Sequence, residues 1–136
     1  MASRYTRELG GSSPLRTALP EFRPRAGQER LAELIGERLE RGGVLVAEAA
    51  TGIGKSLAYL VPAAGCGQRV VVTTATKALQ GQLLREDLPL ARIASGEPLT
   101  AAVVKGRANY VCRVQRAFAD QRVPEAGQPE LARIAE

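Results

Sequence analysis

The chain has 136 residues, 45% of them apolar, and 19 basic against 14 acidic residues give a formal charge of +5, a composition that suits one modest globular domain and excludes a disordered tail. It contains no histidine, and its aspartates are Asp87 and Asp120, which excludes histidine-based acid/base catalysis and histidine-rich metal sites. Two cysteines without a secretory signal make no disulfide framework, and no apolar stretch reaches the roughly 20 residues of a membrane span, so a cytoplasmic chain with no membrane partner is expected.

Residues 1–20 hold Gly10, Gly11, Ser12, Ser13, Pro14 and Pro20 with little periodicity and predict a loosely held, flexible arm. From Gln28 to Arg41, Leu31, Leu34, Ile35 and Leu39 recur at helical spacing, Glu37 lies four residues before Arg41, and Gly42-Gly43 supplies a stop. Val44-Leu45-Val46-Ala47 is too short for a helix and rich in β-branched residues, as a strand buried on both faces would be. A glycine-rich turn and a helix from about Lys55 to Ala63 follow. Val70-Val71-Val72 predicts a second strand, Thr76 to Leu84 a second helix, and Ala101-Ala102-Val103-Val104 a third strand. This alternation predicts an α/β fold, a parallel sheet of about three strands flanked by helices. Beyond Val111 the helical pattern is weak, centred on Val114 and Phe118, and is followed by Pro124, Gly127 and Pro129.

Ala49-Ala50-Thr51-Gly52-Ile53-Gly54-Lys55-Ser56 fits the Walker A pattern, with Ala in its first small position, and lies between a predicted strand and a predicted helix. Gly52 and Gly54 allow backbone amides to turn inward and approach phosphate oxygens. The helix dipole adds positive potential, Lys55 is placed to reach the β- and γ-phosphates, and the Ser56 hydroxyl to ligate Mg²⁺. Lys55 and Ser56 are therefore the candidate catalytic residues. The competing explanation is a glycine-rich turn that happens to end in Lys-Ser. Glu48, just before the turn, is taken as an ordinary charge at a strand end.

A second junction, Val72 to Gln82, places Thr74, Thr76 and Lys77 near a helix N-terminus, where hydroxyls can cap amides or contact a phosphate backbone. The segment Lys105-Gly106-Arg107-Ala108-Asn109-Tyr110-Val111-Cys112-Arg113 combines three cations, an amide and an aromatic, a mix suited to holding single-stranded nucleic acid by charge and stacking through Lys105, Arg107 and Tyr110. A solvated basic loop would have the same composition.

Four stretches, in order, resemble the superfamily 2 DNA helicases related to DinG and XPD, and most of all their YoaA-like branch. Phe22 to Gln28 resembles the adenine-recognition motif, with Gln28 on the adenine edge and Arg25 beside the base. Glu48 to Ser56, continuing into Leu57 to Pro62, resembles motif I. Thr73 to Leu83, running into Asp87-Leu88-Pro89, resembles motif Ia, which touches single-stranded DNA. Lys105 to Cys112 is similar to the segment ending in the first cysteine ligand of the family's [4Fe-4S] cluster, which would make Cys112 that ligand. The resemblance covers about residues 20 to 120 and implies a partial RecA-like P-loop NTPase domain. Residues 21–110 would be the N-terminal part of motor domain 1, and 111–136 the start of an iron-sulfur-domain-like segment. ATP and Mg²⁺ are the implied cofactors, and single-stranded or forked DNA is the implied partner.

The resemblance also implies groups that this sequence does not supply. No cysteine follows Cys112 and Cys66 lies just beyond the first turn's helix, so a [4Fe-4S] cluster is not expected in this chain alone. The DEAH box and the second motor lobe with its arginine finger are missing too, so nucleotide binding without turnover is expected. Two alternatives stay open: a small P-loop kinase-type enzyme, which would need its own acidic Mg²⁺ partner and acceptor lid, and a non-catalytic module that binds nucleic acid or a partner protein.

Overall fold

The structure is a computed structural model that describes residues 4–122. Two compact units divide the chain, one from Met1 to Ala101 and the other from Ala102 to Glu136. In the first, the long helix α3 (Ala26–Arg41) follows the short α1 (Arg4–Leu9) and α2 (Leu15–Ala18), and α4 (Lys55–Gly65), α5 (Lys77–Gln82) and α6 (Leu88–Ser95) come after it. A 3-10 turn (Arg107–Asn109) and α7 (Arg113–Arg122) belong to the second unit.

Helix α3 begins one residue after Arg25, whose extended backbone (φ −133°) follows Pro24, and it ends where Gly42 adopts φ +77°. Its buried face, Gln28, Ala32 and Gly36, runs at a spacing of four, so the small Ala32 and Gly36 on that stripe let neighbouring elements approach closely. At Gly36 a Cβ would overlap the Tyr5 ring, which fixes where α1 lies. Helix α4 buries Leu57, Ala58, Leu60, Val61 and Pro62. It is apolar nearly all round because α3 packs on one side of it and α6 on another. The core is thus helix on helix, built from Leu9, Leu15, Ala32, Leu57, Ala58, Leu60, Val61, Leu88, Ala91 and Ala94.

Helix α5 starts at Thr76, whose hydroxyl accepts a hydrogen bond from the Leu79 amide at 3.2 Å. It runs into a π-helical turn (Leu83–Asp87) and then α6. The helix expected over Thr76 to Leu84 is therefore the opening part of a longer helical stretch. Pro89 follows closely on the π-helical turn; its missing N–H cannot bond the preceding turn, and the ladder is interrupted there, with the Leu88 amide reaching back to Leu83 O. Gly96 closes α6 at φ +69° with its amide on Arg92 O at 2.9 Å.

Two expectations are corrected. The α/β class is overturned, because the described residues contain no strand and are predominantly helical. Of the runs expected to be strands, Val44 and Val46 stand 86% and 92% exposed, Val71 80% and Val104 81%. No backbone hydrogen bond joins residues 44–47 to residues 70–72. A run of β-branched residues prefers extended backbone but carries no information about its ladder partner. Without one, its amides and carbonyls are left to solvent. The arm is also more than a loose lead-in. Helices α1 and α2 lie within it, and Leu9 and Leu15 are fully buried. Ser13 ties the two together, donating to Glu8 O at 2.5 Å and accepting from the Leu15 amide at 3.1 Å.

Candidate nucleotide-binding site

The Ala49–Ser56 turn follows a segment without regular secondary structure and runs into the first residues of α4. Gly52 (φ +78°) and Gly54 (φ +83°) both lie in the left-handed region, which glycine enters without steric cost. The two glycines therefore have a conformational reason to be there. Lys55 opens α4, and its ammonium bends back over the turn, donating to Ala49 O at 2.8 Å and Ala50 O at 2.9 Å. The charge thus sits above the backbone of its own loop.

The turn rests on α3. Gly27 lies so close to Ile53 that a Cβ would meet its side chain at 2.5 Å, and Gln28, only 1% exposed, donates from Nε2 to Gly54 O at 2.9 Å. On the other side, the Ser56 hydroxyl lies near enough to the Asp87 carboxyl and the Tyr59 phenol to lower the pKa of each. Burial pushes the Asp87 carboxyl above its ordinary value, the nearby Ser56 hydroxyl offsets part of this, and Glu86 adds to the rise. Burial likewise raises the Tyr59 phenol. One Asp87 oxygen, Oδ2, is buried with no hydrogen-bond partner. Asp87 beside Ser56 is the residue that sequence reasoning missed. Its only signal was membership of a stretch assigned to a different role.

The structure brings Ala49 to Ser56 together with Gln28. Arg25 is exposed at the N-cap of α3. Thr74 donates its hydroxyl to Thr76 O at 3.2 Å, the Thr76 hydroxyl caps α5, and Lys77 opens that helix exposed to solvent. In the second unit Lys105, Arg107, Tyr110 and Cys112 are all exposed. The Lys105 amide donates to the Tyr110 hydroxyl at 3.0 Å and Asn109 Nδ2 to Gly106 O at 3.1 Å, so this loop is braced by its own side chains. Among the described residues, no group of three or more His, Cys, Asp or Glu side chains is placed to hold a metal ion, and no helix is long and apolar enough to cross a membrane. A cleft of about 450 Å³ beside α1 is lined by Arg4, Tyr5, Glu37, Glu40 and Cys66, among others, and includes no residue of the turn.

Comparison with known proteins now bears on this geometry. Over 107 residues the chain is 40% identical to the ATP-dependent DNA helicase YoaA of Escherichia coli K12, a match that covers 79% of this chain and 17% of that protein. It is 47% identical over 96 residues to the ATP-dependent helicase DinG of Mycobacterium tuberculosis, covering 65% of this chain and 14% of the relative. The chain is a homologue of the YoaA- and DinG-type helicases. A further relative, the 3'-5' exonuclease DinG of Bacillus subtilis, is 32% identical over 109 residues, with 77% of this chain and 12% of that protein covered. The chain thus spans less than a fifth of the length of the YoaA and DinG proteins it matches. No family model matches it, and no solved structure matches significantly.

Proposed function

We propose that the Ala49–Ser56 turn is a Walker A phosphate cradle and that the chain is the ATP-binding N-terminal segment of an ATP-dependent DNA helicase. The observation that carries this is the joint geometry of Gly52, Gly54 and Lys55: two glycines at positive φ lead directly into a helix whose first residue holds a cation over the turn. The donor set suits a nucleoside triphosphate with Mg²⁺. Main-chain amides of the turn would face the phosphates, Lys55 would exchange its two carbonyl acceptors for phosphate oxygens, and the Ser56 hydroxyl would hold the cation. When bound, Mg²⁺ neutralises charge on the phosphates. Arg25 stands exposed at the start of α3, two residues before the Gly27 that meets Ile53, and is the candidate for contact with the base.

The homologues' names support DNA as the partner of the complete enzyme, and Thr74, Thr76, Lys77, Lys105, Arg107 and Tyr110 are the residues proposed to meet a single strand. A chain whose acidic residues form no Asp-Glu pair after an apolar run lacks a water-activating base, so binding is expected to outlast turnover. Calorimetry with Mg·ATP tests the proposal: saturable binding by the chain, reduced at least tenfold in Lys55→Ala, is expected. Absence of binding by correctly folded wild-type chain would refute it.

A further inference from the structure

Resemblance places Gln28 at the adenine edge, yet its side chain is 1% exposed and bonded to the turn. The orientation of this amide is forced. Gly54 presents a carbonyl, which only accepts, so the NH₂ end must face it. That leaves Oε1 on the far side, buried and without a partner, and a base cannot reach it while the surrounding side chains stay packed. A buried amide is retained only where its hydrogen bond compensates for lost water. Here that bond goes to the residue immediately before Lys55.

Gly54 O also accepts the first intrahelical bond of α4, from the Ala58 amide at 3.2 Å. Two donors, one from α3 and one from α4, therefore hold a single carbonyl. In a planar trans peptide the C=O and the following N–H point in opposite directions. Fixing Gly54 O thus fixes the Lys55 N–H, which is directed back into the turn. The packing leaves no slack, because a Cβ at Gly54 would run into the Gln28 amide.

We infer that Gln28 is a positioning residue for the phosphate site: it locks the Gly54–Lys55 peptide and so sets affinity for the polyphosphate whatever base is attached. This rests on the proposed nucleotide site and says which part of the ligand Gln28 serves. Magnesium tripolyphosphate, which has no base, separates the two roles. With the full chain, Gln28→Met is expected to weaken Mg·tripolyphosphate and Mg·ATP by the same factor, roughly tenfold for one lost buried hydrogen bond. Loss confined to ATP, or no loss for either ligand, would overturn the inference. Gln28→Glu supplies a readout that a merely structural role would not move. A protonated carboxyl can donate to Gly54 O and a carboxylate cannot, so the ratio of wild-type to variant affinity for tripolyphosphate should widen as pH rises. A ratio that does not change with pH counts against the inference even if Gln28→Met fails to fold. Wild-type chain that binds neither ligand would remove the nucleotide site itself, an outcome seen without any variant.

Discussion

At the scale of single residues, buried polar groups explain more than exposed ones. Glu8 is only 8% exposed and takes a hydrogen bond from Arg4 Nε at 2.6 Å, while its other oxygen, Oε2, has no partner. Burial outweighs Arg4 and Arg7, and Glu97 adds to it, so the Glu8 carboxyl titrates above the ordinary carboxylate range. The folded chain therefore holds a proton that the unfolded chain releases. The resulting stability is fully present below the ordinary carboxylate value and is lost as pH rises through the raised one. Urea unfolding across mildly acidic pH should show this fall in the wild type and a flatter profile in Glu8→Gln; identical profiles would contradict the assignment. The same scale shows why the site was only partly legible. Residues 49–56 announce themselves because their pattern is local, with glycines, lysine and serine at fixed offsets. Gln28 meets Gly54 across 26 residues, and Ser56 meets Asp87 across a comparable gap. No spacing rule reaches that far.

At the scale of elements, amphipathic periodicity served the helices well and the extended runs poorly. In α3 the leucine periodicity located the helix, but the face that packing buries is Gln28, Ala32 and Gly36, and the four apolar residues of the stripe stay half-buried. Capping is equally local, and Thr76 takes that role at α5. A strand instead depends on hydrogen bonds supplied by another segment, and the valine runs at 44–47 and 70–72 form none with each other. Helices α1 and α2 show the converse failure. Glycine, serine and proline suggest looseness, but Leu9 and Leu15 find a pocket among α3, α4 and α6 that only the folded chain contains. Leu9→Ala should therefore cost about 2–4 kcal/mol of stability in denaturant titration, the range for emptying a buried leucine site. A loss below about 0.5 kcal/mol would restore the arm to a passive role.

At the scale of the whole molecule, the basic charge and the exposed valines pull solution behaviour in opposite directions. A formal +5 keeps copies of the chain apart, whereas Val46 and Val71 present apolar surface to water at 92% and 80% exposure. Neither touches the core, so replacing both with lysine should leave unfolding free energy within about 0.5 kcal/mol each while raising the solubility limit and lowering binding of an apolar dye. A large loss of stability would show that these valines are packed. The sequence alone determined the helical segments around 28–41 and 55–63, the turn at 49–56 and the kinship with YoaA- and DinG-type helicases, because each is written in neighbouring residues or in their order. Only the tertiary structure decided that the valine runs stay unpaired, that Leu9 and Leu15 join the core, and that Gln28 and Asp87 close on the turn. Those outcomes depend on which distant segments pack together, and a local pattern does not record its partners.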